Sequence, residues 1–144
     1  MVAYLTLDDS SVIVASLREQ EKKHEVCKNL LRRVKNGEFV ALEPYTVMVE
    51  VVAAIRRRTG SEHLAEMIKS GLENIDSITF LDMISSRADD AANIAKETGV
   101  SGMDAIVIQI AKEFGSPLIS LDMELIKRSR FVVDILAVDD AVKL

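Results

Sequence analysis

The chain has 144 residues, 49% of them hydrophobic and only 4% aromatic, a net charge of −5 and one cysteine. That length suits a single domain with an aliphatic core, and a lone Cys27 excludes an internal disulfide framework and fits a reducing, cytoplasmic setting. The acidic balance disfavours gripping nucleic acid by net charge alone, and no apolar run is long enough to span a membrane.

In chain order, residues 2–8, VAYLTLD, read as a buried strand. The stretch breaks at Asp8 and has no basic lead-in, so it does not read as a signal peptide. Residues 11–19 and 21–36 read as helical, ending at Asn36-Gly37. EFVAL is a short second strand. Pro44 and Thr46 open the helix TVMVEVVAAIRRR, which stops at Gly60. Ser61 caps the next helix, where Leu64, Met67, Ile68 and Leu72 share one apolar face. SITFL is a third strand, and residues 85–98 are a helix with Ala88, Ala91, Ala92 and Ala95 on one side, closed by Gly99. Ser101 and Asp104 have capping-box spacing at the start of another helix, with Gly115 at its end. PLISL is a fourth strand, a short helix follows from Met123, and FVVDILAV is a fifth strand. The alternation predicts one α/β domain over 1–144, a three-layer α/β/α sandwich around a central, mostly parallel five-stranded sheet.

In an open parallel sheet the functional crevice lies beyond the carboxyl ends of the strands, and acids fall there. Asp8 and Asp9 end the first strand, Asp122 ends the fourth, Asp104 starts the helix before the fourth, and Glu50 lies early in the helix after the second. Crowded carboxylates repel and are costly to desolvate. A hard cation with oxygen ligands relieves that cost, and Mg²⁺ or Mn²⁺ suits this set. No His or Cys stands at zinc-ligand spacing. Each acid also has a plainer reading: Asp9 or Asp104 as a helix N-cap, Asp122 as an Asx turn. Glu50, flanked by Val49 and Val51, fits a plain reading least, because a charge inside an apolar helical run needs a partner.

Two families share parts of this pattern. LDDSS and ITFLDMISS resemble the acidic pair and phospho-acceptor strand of a response-regulator receiver domain, with Asp82 as acceptor. However, the extra helix over 61–73 puts Asp82 too far along, its loop lacks a Met-Pro or Asp-Gly pair, and no Lys-Pro follows the last strand. The second resemblance covers roughly residues 3–137. LDDSSVIVASL is similar to the opening motif of PIN-domain proteins, and YTVMVEVVAAIRRR to their second, a helix with a single Glu and trailing Arg. GVSGMDAIVIQIAKEFGSPLISLD resembles their Asp-Ala helix followed by a strand with Ser or Thr two before an acid. The likeness is greatest to the VapC-type branch, toxins of bacterial and archaeal toxin–antitoxin pairs.

This resemblance implies hydrolysis of RNA phosphodiester bonds with Mg²⁺ or Mn²⁺. It implies Asp9 as the first metal ligand, preferred to Asp8 because the family's Asp directly precedes Ser-Ser. Glu50, Asp104 and Asp122 supply the other acids, and Ser10 and Ser120 are supporting hydroxyls. It also implies a cognate antitoxin and a homodimer, for which Val12, Ile13, Val14 and Leu17 offer an apolar face. Arg57, seven residues after Glu50 and near the same helix face, is the expected phosphate contact. The alternative of another class is a PIN module with little or no catalysis that works as a protein- or RNA-binding partner.

Overall fold

The computed structural model describes residues 3–8 and 11–144. Four strands, β1 (Ala3–Leu7), β2 (Phe39–Pro44), β3 (Ile78–Leu81) and β4 (Leu118–Ile119), lie in the order β3-β2-β1-β4 with every pairing parallel. Parallel neighbours need long crossovers, and helices fill them: α1 (Ser11–Leu17) and α2 (His24–Lys35), then α3 (Tyr45–Thr59) and α4 (Glu62–Glu73), then α5 (Ser85–Thr98) and α6 (Gly102–Phe114). Two short helices, α7 (Met123–Ser129) and α8 (Val138–Ala141), complete the order. The chain moves one way through β1, β2 and β3, then reverses to reach β4. With right-handed crossovers that reversal puts α1–α4 on one face and α5–α6 on the other. The two directions meet between β1 and β4.

Helix ends follow local signals. Ser61 Oγ accepts the Leu64 amide at 3.0 Å and Ser101 Oγ the Asp104 amide at 3.2 Å. Gly60 and Gly99 close α3 and α5 at φ 69° and 75°, which a side chain would resist. Two expectations change. The fifth strand, FVVDILAV, reduces to one parallel bridge, Leu118 to Ile135. β4 is only two residues long before Ser120 turns toward α7, so little backbone is left to pair, and Val138 is drawn into α8 with its side chain buried. Among the described residues the sheet therefore has four strands rather than five. The apolar face of α4 is also only partly covered: Ala65 and Leu72 are buried, while Leu64 and Met67 stay 43% and 56% exposed.

Val12, Ile13 and Val14 are buried in the chain's own core with Leu5, Leu7, Ile108 and Leu118. They offer no face to a second copy, and of that expected dimer surface only Leu17 is exposed. α2 docks on α1 through His24, whose Nδ1 lies 2.8 Å from the Ala15 carbonyl oxygen. Cys27, also buried, is a packed thiol. Burial, opposed by Lys23 and helped by Asp139, pushes it up from 9.0 to about 11. The unfolded thiol ionises first as pH rises, so its contribution to stability is present below pH 9 and lost toward pH 11. Urea midpoints measured from pH 7 upward should fall more steeply above pH 9 for the parent protein than for Cys27→Ala. Equal slopes would contradict this.

Candidate functional site

Parallel strands bring all their carboxyl ends to one edge, and α6, running back toward the start of β4, presents its first turn there. At the meeting of β1 and β4, Asp8 is fully buried. Its amide donates to the Ile119 carbonyl at 2.7 Å, and its Oδ2 accepts Ser120 Oγ at 2.5 Å. Ser120 Oγ in turn accepts the Asp122 amide at 2.9 Å. One hydroxyl thus couples the end of β1 to the start of α7. A buried hydroxyl pair, Thr6 of β1 and Ser116 just before β4, lies further back at 2.7 Å. Pleating explains both: Thr6 and Asp8 point to one face, with Leu5 and Leu7 to the other.

Asp122 is the N-cap of α7, its Oδ1 accepting the amides of Glu124 and Leu125 at 2.9 and 3.2 Å. The Asx-turn bond expected of it, to the Glu124 amide, is therefore present as part of a full N-cap, while the residue remains exposed at the edge. Asp104 is half-buried in the first turn of α6, behind its Ser101 cap. Glu50 is half-buried in the second turn of α3, and Arg57 is exposed in that helix's last turn. Asp9 and Ser10 lie outside the described residues. Hydrogen bonds join Asp8, Ser120 and Asp122; for Asp104 and Glu50 it is topology that puts them at the same edge. Among the described residues, no three His, Cys, Asp or Glu side chains are grouped closely enough to hold a metal.

Glu43 was not singled out in the sequence. It ends β2 fully buried, and its Oε1 accepts the Leu7 amide at 2.5 Å. The available signal was an acid directly before Pro44, closing an apolar strand. On the other side, Arg87 of α5 holds both carboxylate oxygens of Glu113 on α6, at 3.0 and 2.9 Å, and the Asp82 carbonyl at 3.0 Å. Arg87 and then Gln109 keep the Glu113 carboxyl below its ordinary value. This clamp ties the loop after β3 to the helix that carries Asp104.

The donors at this edge, Asp8, Glu43, Asp104, Ser120 and Asp122, are all oxygens. His24 is engaged with α1, Cys27 is packed in the core, and His63 lies on α4. Such a set has the chemistry of a hard divalent-cation site.

A parallel sheet whose chain reverses beside an acidic carboxyl edge defines an α/β protein with its site at the strand ends. The chain belongs to the PIN-domain family, whose profile matches residues 7–130. Solved structures share the fold. VapC20 of Mycobacterium tuberculosis, a sarcin–ricin-loop-cleaving toxin, superposes with a TM-score of 0.68 at 15% identity, over 83% of this chain and 92% of its own. PAE2754 of Pyrobaculum aerophilum gives 0.65 at 18% identity, over 99% and 95%. VapBC2 of Rickettsia felis, bound to a DNA fragment from its promoter, gives 0.63 at 13% identity, over 93% and 98%. No curated protein matches the chain.

Proposed function

We propose that this chain is a metal-dependent endoribonuclease of the VapC type, hydrolysing RNA phosphodiester bonds with Mg²⁺ or Mn²⁺ as the toxin of a toxin–antitoxin pair. The observation that carries the reading is the acidic carboxyl edge of a PIN-family chain, where Asp8, Ser120 and Asp122 are linked across β1, β4 and α7. These acids would hold a divalent ion, whose chemistry when bound would be to neutralise charge on the attacked phosphate and activate water. In this reading Asp9, Glu50, Asp104 and Asp122 hold the ion. Ser120 fixes the strand-end carboxylate by donating to it, and Ser10 supports the same end. Arg57 meets the RNA phosphates.

The test is cleavage of a mixed RNA pool with added Mn²⁺, beside EDTA and beside Asp104→Asn. Cleavage that requires both the metal and Asp104 is the expected result. A folded protein that cleaves in no lane, or equally in all, overturns the nuclease reading.

A binding role is favoured by a second observation. α1, α2 and α4 enclose a groove whose accessible apolar lining is Ile68, Leu17 and Met67, the last two exposed at its mouth. Lys28, Arg32 and Lys35 lie along it. An apolar lining with charged margins suits an amphipathic segment of a protein partner, and in this reading that partner is the antitoxin. Self-association belongs to the same reading through surface other than Val12, Ile13 and Val14; light scattering that reports a monomer at micromolar concentration removes it.

A further inference from the structure

We infer that Glu43 is a positioning residue that holds the end of β1, and with it the strand-end acids, in their working geometry; this rests on the metal-site reading above. The amides of β1 face alternate neighbours. Thr6 and Asp8 donate to Pro117 and Ile119 across the β4 side at 3.0 and 2.7 Å. On the β2 side the backbone register runs from Ala3↔Phe39 to Leu5↔Ala41, and the next amide, that of Leu7, donates to the Glu43 side chain instead. β2 stops pairing with β1 after Ala41, although it stays paired with β3 as far as Pro44, and the Glu43 side chain reaches across to stand in for a carbonyl. The peptide that carries Asp8 is therefore pinned on both sides, from β4 by backbone and from β2 by this side chain.

Both Glu43 and Asp8 are fully buried. Outer-shell groups that fix metal-ligating side chains commonly govern metal affinity as strongly as this role requires. Glu43 touches the backbone at the end of β1, not the reacting atoms.

Two conservative variants separate reach from charge. Glu43→Gln keeps the reach and an acceptor oxygen but loses the charge; Glu43→Asp keeps the charge but is one methylene too short for the Leu7 amide. Mn²⁺ affinity, read without RNA by the electron paramagnetic resonance signal of free Mn²⁺, should fall about 10–100-fold for Glu43→Asp and stay near the parent value for Glu43→Gln. Leu7 amide exchange, followed by NMR, should quicken about tenfold or more in Glu43→Asp alone. Equal affinity and exchange in both variants and the parent overturn the inference. So does loss of affinity in Glu43→Gln, which would mean that the charge acts on the ion directly. If the parent protein binds no Mn²⁺, the metal-site reading fails, and Leu7 exchange alone still decides whether Glu43 holds this strand end: unchanged exchange in Glu43→Asp refutes it.

Discussion

Asp122→Asn is expected to leave the melting temperature within about 2 °C of the parent value while lowering metal-dependent RNA cleavage about 100-fold. The two effects separate because the proposed metal site and the α7 cap ask different things of Asp122. Its Oδ1 caps α7 through the amides of Glu124 and Leu125, and Asn caps a helix about as well as Asp. What Asn removes is the negative charge, which the proposed metal site needs and the cap does not. Asp122→Ala removes both, so it should lose activity to the same degree and also about 0.5–2 kcal/mol of stability. Thermal melts beside initial cleavage rates measure the pair. If Asp122→Asn cleaves RNA like the parent, Asp122 is a cap alone, and the site must be built without it.

The second large effect is structural. Ile108 is fully buried on α6 and packs in the core with Leu7 and Leu118. Ile108→Ala should cost about 2–5 kcal/mol, through lost transfer energy and the cavity left behind. In a domain of this size that lowers the melting temperature by roughly 10 °C. Ile106, on the same helix but only half-buried, should lose much less on truncation. Denaturant titration of the two variants compares them, and equal costs would mean that α6 does not anchor the sheet as described. Because Asp104 sits in the first turn of α6, Ile108→Ala should still cleave RNA well below its midpoint, where the helix remains seated.

Much of the fold was legible because its signals are local. The helix over Ser85–Thr98 has the bounds expected of it, and Gly60 and Gly99 stop their helices in the left-handed backbone that glycine accepts. Ser61 and Ser101 cap where their spacing said they would. Each of these depends on residues within four positions of one another. Alternation of apolar strands with helices likewise implied a covered parallel sheet, since parallel strands require such crossovers. The PIN motifs around Glu50, Asp104 and Asp122 were readable for the same reason, as short runs of sequence.

What the tertiary structure decided concerns residues far apart in the chain. Leu7 meets Glu43 across 36 positions and Ser120 meets Asp8 across 112, and no local pattern encodes which strand ends lie side by side. The run Val12–Ile13–Val14 is apolar whether it packs inward or against a second copy; only the packing of α1 with α2 and α3 in the core puts it inside. The fifth strand has the right composition, yet a strand exists only where a neighbour offers backbone, and β4 ends after two residues. The sequence by itself therefore determined the local elements, the parallel α/β class and the acids to watch. The tertiary structure decided which acids share a hydrogen-bonded edge, because that depends on strand order and packing rather than on spacing along the chain.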